Sequence, residues 1–163
     1  MTASVVGEKP RYFKSDVPRG KSGPWVVEKF IVEDRPAPSV DERPRCFQHR
    51  PGQYTRLKMG HEVFMTDLYD EWWTQKKAAD QANDRSGHVL ITGLGLGLIV
   101  ESMLRIPGGP VQSVTVVERS SDVVHLVGPH LLTRYGDRLK IVNGDAFTWQ
   151  PPSTPQYSIV WHD

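Results

Sequence analysis

The stretch "HVLITGLGLGLIVESML", residues 88–104, constrains the fold more than any other part of the chain. It opens as a β-rich apolar strand and reaches glycine at 93, 95 and 97. Leu98, Ile99, Met103, Leu104 and Ile106 then recur on one helical face until "PGGP" at 107–110 stops the helix. The same grammar repeats downstream. "VQSVTVVE" is a second strand. Ser120 or Ser121 caps a following helix carrying Val124, Val127 and Leu131, which Gly128-Pro129 is expected to bend or divide. "RLKIVNGDA" is a third strand and "YSIVWHD" a fourth. Near-continuous apolar strands alternating with helices predict an α/β fold with a Rossmann-like open parallel sheet. The fourth strand ends the chain at Asp163, so this sheet is expected to be incomplete at its C-terminus, a fragment or a truncated product.

Residues upstream read differently. "GQYTRLKMGHEVFMTD" carries two short strand-like segments, 53–58 and 62–65, joined around Gly60 as a β-hairpin. From Asp67 to about Asn83 the pattern is helical, with Leu68, Trp72 and Ala79 on one stripe, Tyr69 and Trp73 beside it, and Thr66 or Asp67 as the N-cap. "WVVEKFIVE" at 25–33 is a strand, the prolines at 36, 38 and 44 break any regular element after it, and residues 1–24 read as a loose arm. The expected organisation is an arm and irregular strand region over 1–52, a hairpin with a covering helix over 53–86, and the α/β unit over 87–163.

The glycines admit two readings. Glycine lets a strand turn sharply into a helix, and it also lets a ligand approach a backbone whose first-turn N–H groups favour polar or negative groups. The run differs from the GxGxxG dinucleotide fingerprint because Leu98 stands at the third glycine's place, and no Gly-Lys-Ser/Thr follows, which disfavours NAD, FAD and nucleoside-triphosphate readings. The acids tip the balance toward a cradle. Glu118 ends the second strand 25 residues beyond Gly93, where a carboxylate can accept both hydroxyls of a ribose. Asp145 follows the third strand and Asp163 closes the fourth. A turn needs glycine but needs no acid after each later strand.

Charge and composition limit the alternatives. The chain has 20 Lys and Arg against 19 Asp and Glu, so no overall field marks a dedicated nucleic-acid binder. Lys9, Arg11, Lys14, Arg19 and Lys21 can touch phosphate, but Glu8 and Asp16 dilute them. A nucleic-acid acceptor would show as salt-dependent binding lost on removing residues 1–24. Cys46, the one cysteine, forms no intrachain disulfide, and no apolar run reaches membrane-spanning length. A cytoplasmic protein without membrane contact is the expectation. No Cys, His, Asp or Glu cluster has zinc-site spacing, so no metal is expected. The unfinished sheet edge is a place for self-association.

Taken together, "VLITGLGLG", "VTVVE", "IVNGDAF" and "YSIVWHD" resemble the first four strands of the class I S-adenosylmethionine-dependent methyltransferase fold, in the style of its spermidine-synthase-like branch. "VFMTDLYDEWW" resembles that branch's N-terminal lead-in. The resemblance covers about residues 53–163. It implies S-adenosylmethionine as cofactor, with Gly93, Gly95 and Gly97 under its amino-acid part, Glu118 on the ribose, and Asp145 and Ala146 beside the adenine. Asp163 and His162 would face the reaction centre. It implies methyl transfer to an acceptor, a small molecule in the first reading. The alternatives are an aminopropyltransferase relative or a cofactor-binding fragment that is catalytically incomplete. Polyamine synthases usually carry Asp where this chain has Leu96, which counts against polyamine synthesis. Under this reading, positioning of donor and acceptor supplies most of the catalysis, Asp163 orients an amine, and His162 accepts a proton.

Overall fold

The computed structural model describes residues 11–33 and 50–162. Lys9, Cys46 and Asp163 lie outside the described residues.

The chain forms two four-stranded sheets. The first is antiparallel, in the order β1-β2-β3-β4: β1 (Gly20–Ser22), β2 (Trp25–Val32), β3 (Gly52–Met59) and β4 (Glu62–Thr66). Helix α1 (Tyr69–Arg85) leads out of it. The second sheet is parallel and comprises β5 (Gly87–Thr92), β6 (Val111–Glu118), β7 (Leu139–Asn143) and β8 (Tyr157–His162), in the order β7-β6-β5-β8. Helix α2 (Leu98–Leu104) joins β5 to β6, and α3 (Ser121–Tyr135) joins β6 to β7. This is an α/β fold in which an antiparallel sheet and a helix precede a parallel Rossmann-like sheet; the parallel sheet is as the alternating pattern predicts, and the expected hairpin is the β3–β4 half of a four-stranded antiparallel sheet. The order reverses at β5, because β6 and β8 lie on opposite sides of it. Ligands of open α/β sheets bind outside the carboxyl ends of strands at such a switch point.

One face of the parallel sheet carries the core. Val89 and Ile91 of β5 and Val114 and Val116 of β6 pack with Ala78, Ala79 and Ala82 of α1, with all of the apolar residues of α2, and with Val123, Val127 and Leu131 of α3. Strand alternation sends Leu90, Thr115, Ser158, Val160 and His162 to the other face, where Leu90 and Thr115 are buried and the three β8 residues are exposed. Helix α2 is buried at every position, including Glu101 and Ser102, as expected of a helix wedged between a sheet and two neighbouring helices.

Three local readings change. Helix α3 runs unbroken through Pro129, because Val123, Val127 and Leu131 anchor turns on both sides of it. Ser120 caps α3 as read, its hydroxyl accepting from the Val123 N–H at 3.3 Å. Helix α1 starts at Tyr69 after Leu68 with no side-chain cap. Residues 11–24 are no loose arm: Ser15 and Val17 are buried and Gly20–Ser22 is a strand.

Asp67, a cap candidate from its position, does other work. Fully buried, its carboxylate accepts the N–H groups of Ser15 at 2.8 Å and Thr55 at 2.7 Å, stapling the N-terminal segment to the first sheet. Burial pushes its carboxyl up, opposed by those two hydrogen bonds and the nearby charge of Lys29. Asp67→Ala strands two buried donors and is expected to cost about 2 kcal/mol by urea denaturation. A loss near zero would mean that water takes over both.

Candidate functional site

The carboxyl ends of β5, β6 and β7 are stitched together by backbone and side-chain hydrogen bonds. The Gly93 N–H donates to the Val117 carbonyl at 2.9 Å, and the Gly144 N–H donates to the Glu118 carbonyl at 2.9 Å. The Asn143 amide donates to the Glu118 carbonyl at 2.9 Å and the Arg119 carbonyl at 3.1 Å. Glu118 sits at the centre. Its Oε2 accepts the Leu94 N–H at 2.8 Å, and its Oε1 accepts the Ser120 N–H at 2.7 Å. A single half-buried carboxylate therefore holds the glycine loop and the start of α3 in fixed relation. Each oxygen keeps a further lone pair for an outside donor.

The glycine loop alternates in depth. Leu94 and Leu96 are buried in the core, and the Leu96 N–H donates to Met65 Sδ at 3.1 Å, which fastens the loop to β4. Gly93 and Gly95 remain partly exposed, with φ of +93° and +50°. These angles favour glycine, and at these two positions the bare backbone meets the surface. Gly97 differs. It is buried, its φ is +75°, and a Cβ there would stand 2.4 Å from Leu131 Cδ1. Its missing side chain makes room for α3 and exposes nothing to a ligand. The Gly97 N–H also closes a turn onto the Leu94 carbonyl at 2.8 Å.

Three further predicted residues, Asp145, Ala146 and His162, lie at or just beyond the ends of β7 and β8. Asp145 lies two residues beyond β7, where its Oδ1 accepts the Phe147 N–H at 2.9 Å and its carbonyl accepts the Trp149 N–H at 2.8 Å. Ala146 is exposed beside it, and Phe147 is 97% exposed. His162 ends β8, in register with Thr92 of β5, and its Nδ1 is 2.7 Å from the Thr92 hydroxyl. That contact pins one ring nitrogen next to the residue where the glycine loop begins.

Sequence reading passes over Thr92, Asn143 and Met65. Asn143 stands at a strand end beside Gly144-Asp145, a placement that could have flagged it. Thr92 and Met65 act through partners 70 and 31 residues away, and local pattern carries no such signal. The aromatic residues of α1 divide by exposure, with Trp72 buried and Trp73 half exposed and stacked on Tyr69.

The chain matches no protein-family model and no curated protein. Among solved structures it is similar to a dimethyladenosine transferase from Plasmodium falciparum, at 18% identity and a TM-score of 0.43, over 53% of this chain and 30% of that one. It is also similar to spermidine synthase from Thermotoga maritima, at 18% identity and a TM-score of 0.46, over 79% of this chain and 40% of that one. The chain thus spans well under half the length of either. Among the described residues no helix is long and apolar enough to cross a membrane.

Proposed function

We propose that the glycine loop and Glu118 bind a sulfonium nucleoside of the S-adenosylmethionine class, and that the domain serves transfer of an alkyl group, methyl in the first instance, to an acceptor. The observation that carries this reading is the Glu118 carboxylate at the end of β6, next to the switch point at β5. It is tied to the Leu94 N–H and lies beside the exposed backbone of Gly93 and Gly95. The residues fit the group. Glu118 has two oxygens with lone pairs to spare for the two ribose hydroxyls, and no side chain stands on the loop at 93 or 95 to obstruct a ligand.

When bound, the sulfonium supplies an electrophilic carbon with a neutral sulfur leaving group. The chain's own residues do the rest. The loop backbone and Glu118 orient the nucleoside end, with Asp145 and Ala146 beside the base. His162, fixed through Nδ1 by Thr92, takes a proton from the acceptor, and Asp163 orients the acceptor or steadies positive charge. Leu96 is buried in the core, so the position presents no carboxylate to a substrate amine.

A second reading, cofactor binding without turnover by this chain alone, is favoured by the outer face of β8, where Ser158, Val160 and His162 are exposed. Calorimetry with S-adenosylmethionine and its demethylated product tests the cofactor claim for both readings, and methyl release to water or added amines separates them. One-to-one binding is expected. Glu118→Ala should weaken it about 10- to 100-fold, the worth of hydrogen bonds to a charged group, and Gly95→Asp should abolish it. A folded sample that gives no heat, or that binds NAD instead, would sink the proposal.

A further inference from the structure

Away from the cradle, Asp16 of the N-terminal segment, Glu101 of α2 and His130 of α3 converge. One ligand atom from each lies within 4.8 Å of the other two. We propose that these three residues form a binding site for a divalent first-row transition-metal cation of the Zn2+ type. Two carboxylates and an imidazole are a donor set such ions accept.

The arrangement of hydrogen bonds leaves the right atoms available. Arg134 donates from Nη1 to Glu101 Oε1 at 2.9 Å and from Nη2 to Asp16 Oδ2. It thereby takes one oxygen of each carboxylate and fixes the orientation of both, the role that outer hydrogen bonds play around metal ligands. The oxygens left are Asp16 Oδ1, 2.7 Å from His130 Nε2, and Glu101 Oε2. The second of these is the independent observation. The Glu101 side chain is 3% exposed, and its Oε2 accepts no hydrogen bond. Its nearest cation is Arg105 Nη1 at 3.5 Å. A buried carboxylate oxygen with no hydrogen bond and an arginine nitrogen 3.5 Å away is only partly compensated, and a cation shared with Asp16 and His130 would add to that compensation.

Donors on a tetrahedral ion stand about 3.4 Å apart, so Asp16 and His130 must separate slightly and Glu101 must approach. Asp16 is 54% exposed, and the adjustment falls on its hydrogen bond to His130 while Arg134 keeps the other oxygen. An open groove lined by Pro18, His125, Leu126 and Thr133 reaches His130 and gives an ion its way in. Arg134 and Arg105 offset the two carboxylates, so moderate rather than extreme affinity is expected. No spacing rule finds this site, because its ligands come from positions 16, 101 and 130.

The test is a titration of the metal-stripped full chain with Zn2+ by calorimetry, and with Co2+ by absorption. One equivalent is expected, with a raised melting temperature and Co2+ d–d bands lacking thiolate charge transfer. His130→Ala and Asp16→Asn should each weaken binding at least tenfold while circular dichroism stays unchanged, and His125→Ala should leave binding intact. The proposal is overturned by the absence of saturable binding to the folded chain, by affinity that survives either of the first two substitutions, or by a thiolate band assigning the ion to Cys46.

Discussion

Replacing Arg134 with alanine is expected to cost about 3 kcal/mol of folding free energy, the lower end of what removing one partner of a buried ion pair costs. The magnitude is set by Glu101, not by Asp16. Burial pushes the Glu101 carboxyl up and the charges of Arg134 and Arg105 oppose that push, so the pair with Arg134 at 2.9 Å keeps an otherwise isolated charge tolerable inside α2. Arg105 remains after the substitution, but its Nη1 stands 3.5 Å away on a side chain half in water, and it compensates only in part. The Asp16 arm behaves differently. Burial raises that carboxyl, yet hydrogen bonds from Arg134 and His130, with their charges, outweigh the effect and bring it down to about 2. Because Asp16 is 54% exposed, water screens the pair, and Asp16→Ala should cost less than about 1 kcal/mol. Urea denaturation with a chelator present measures both without any contribution from bound metal. Combining Arg134→Ala with Glu101→Gln should recover part of the loss, since the neutral amide has no charge to strand. A loss under about 1 kcal/mol for Arg134→Ala would show that Arg105 alone carries Glu101.

This cluster marks the boundary of what the sequence makes legible. The parallel sheet is readable because the central residues of β5 and β6 are buried in succession and so appear as apolar runs, while the intervening helices show their periodicity against glycine and proline stops. Ser120 is readable because capping is local. The segment 11–24 misleads because its order comes from contacts invisible in its own composition: Ser15 held by Asp67 across 52 residues, Asp16 held by Arg134 across 118, and Ser22 donating to Asp122 across 100. A Lys-, Gly- and Pro-rich stretch looks like a tail until its partners are in place. Removing residues 1–24 to test nucleic-acid binding would therefore remove part of the fold. At the candidate site the same division holds. The glycines and Glu118 announce themselves by strand-end position, whereas the tie between Thr92 and His162 depends on β5 pairing directly with β8, a neighbourhood that only the sheet order reveals.

Gly97→Ala is expected to destabilise the protein by about 3 kcal/mol. A left-handed backbone angle costs an alanine on the order of 1 kcal/mol, and forcing a methyl group into a filled core costs about 1–3 kcal/mol more. Both terms apply here, with φ at +75° and Leu131 Cδ1 2.4 Å from the added carbon. Leu131 is fully buried among α3, α2 and the sheet, so it has nowhere to retreat without opening a cavity. Leu131→Ala alone should cost about 2–5 kcal/mol through that cavity. In the double variant the new methyl group occupies part of the space vacated, so the combined loss should fall short of the sum by about 1 kcal/mol or more, leaving only the backbone term. Strict additivity in urea denaturation would mean that the overlap is relieved by a backbone shift instead. The outcome bears on the three glycines as a group. If Gly97→Ala weakens cofactor binding only in proportion to the unfolded fraction, while Gly95→Asp abolishes binding in a fully folded chain, then the glycine run does two jobs: Gly97 seats α3 against the loop, and Gly93 and Gly95 leave the backbone bare for the ligand.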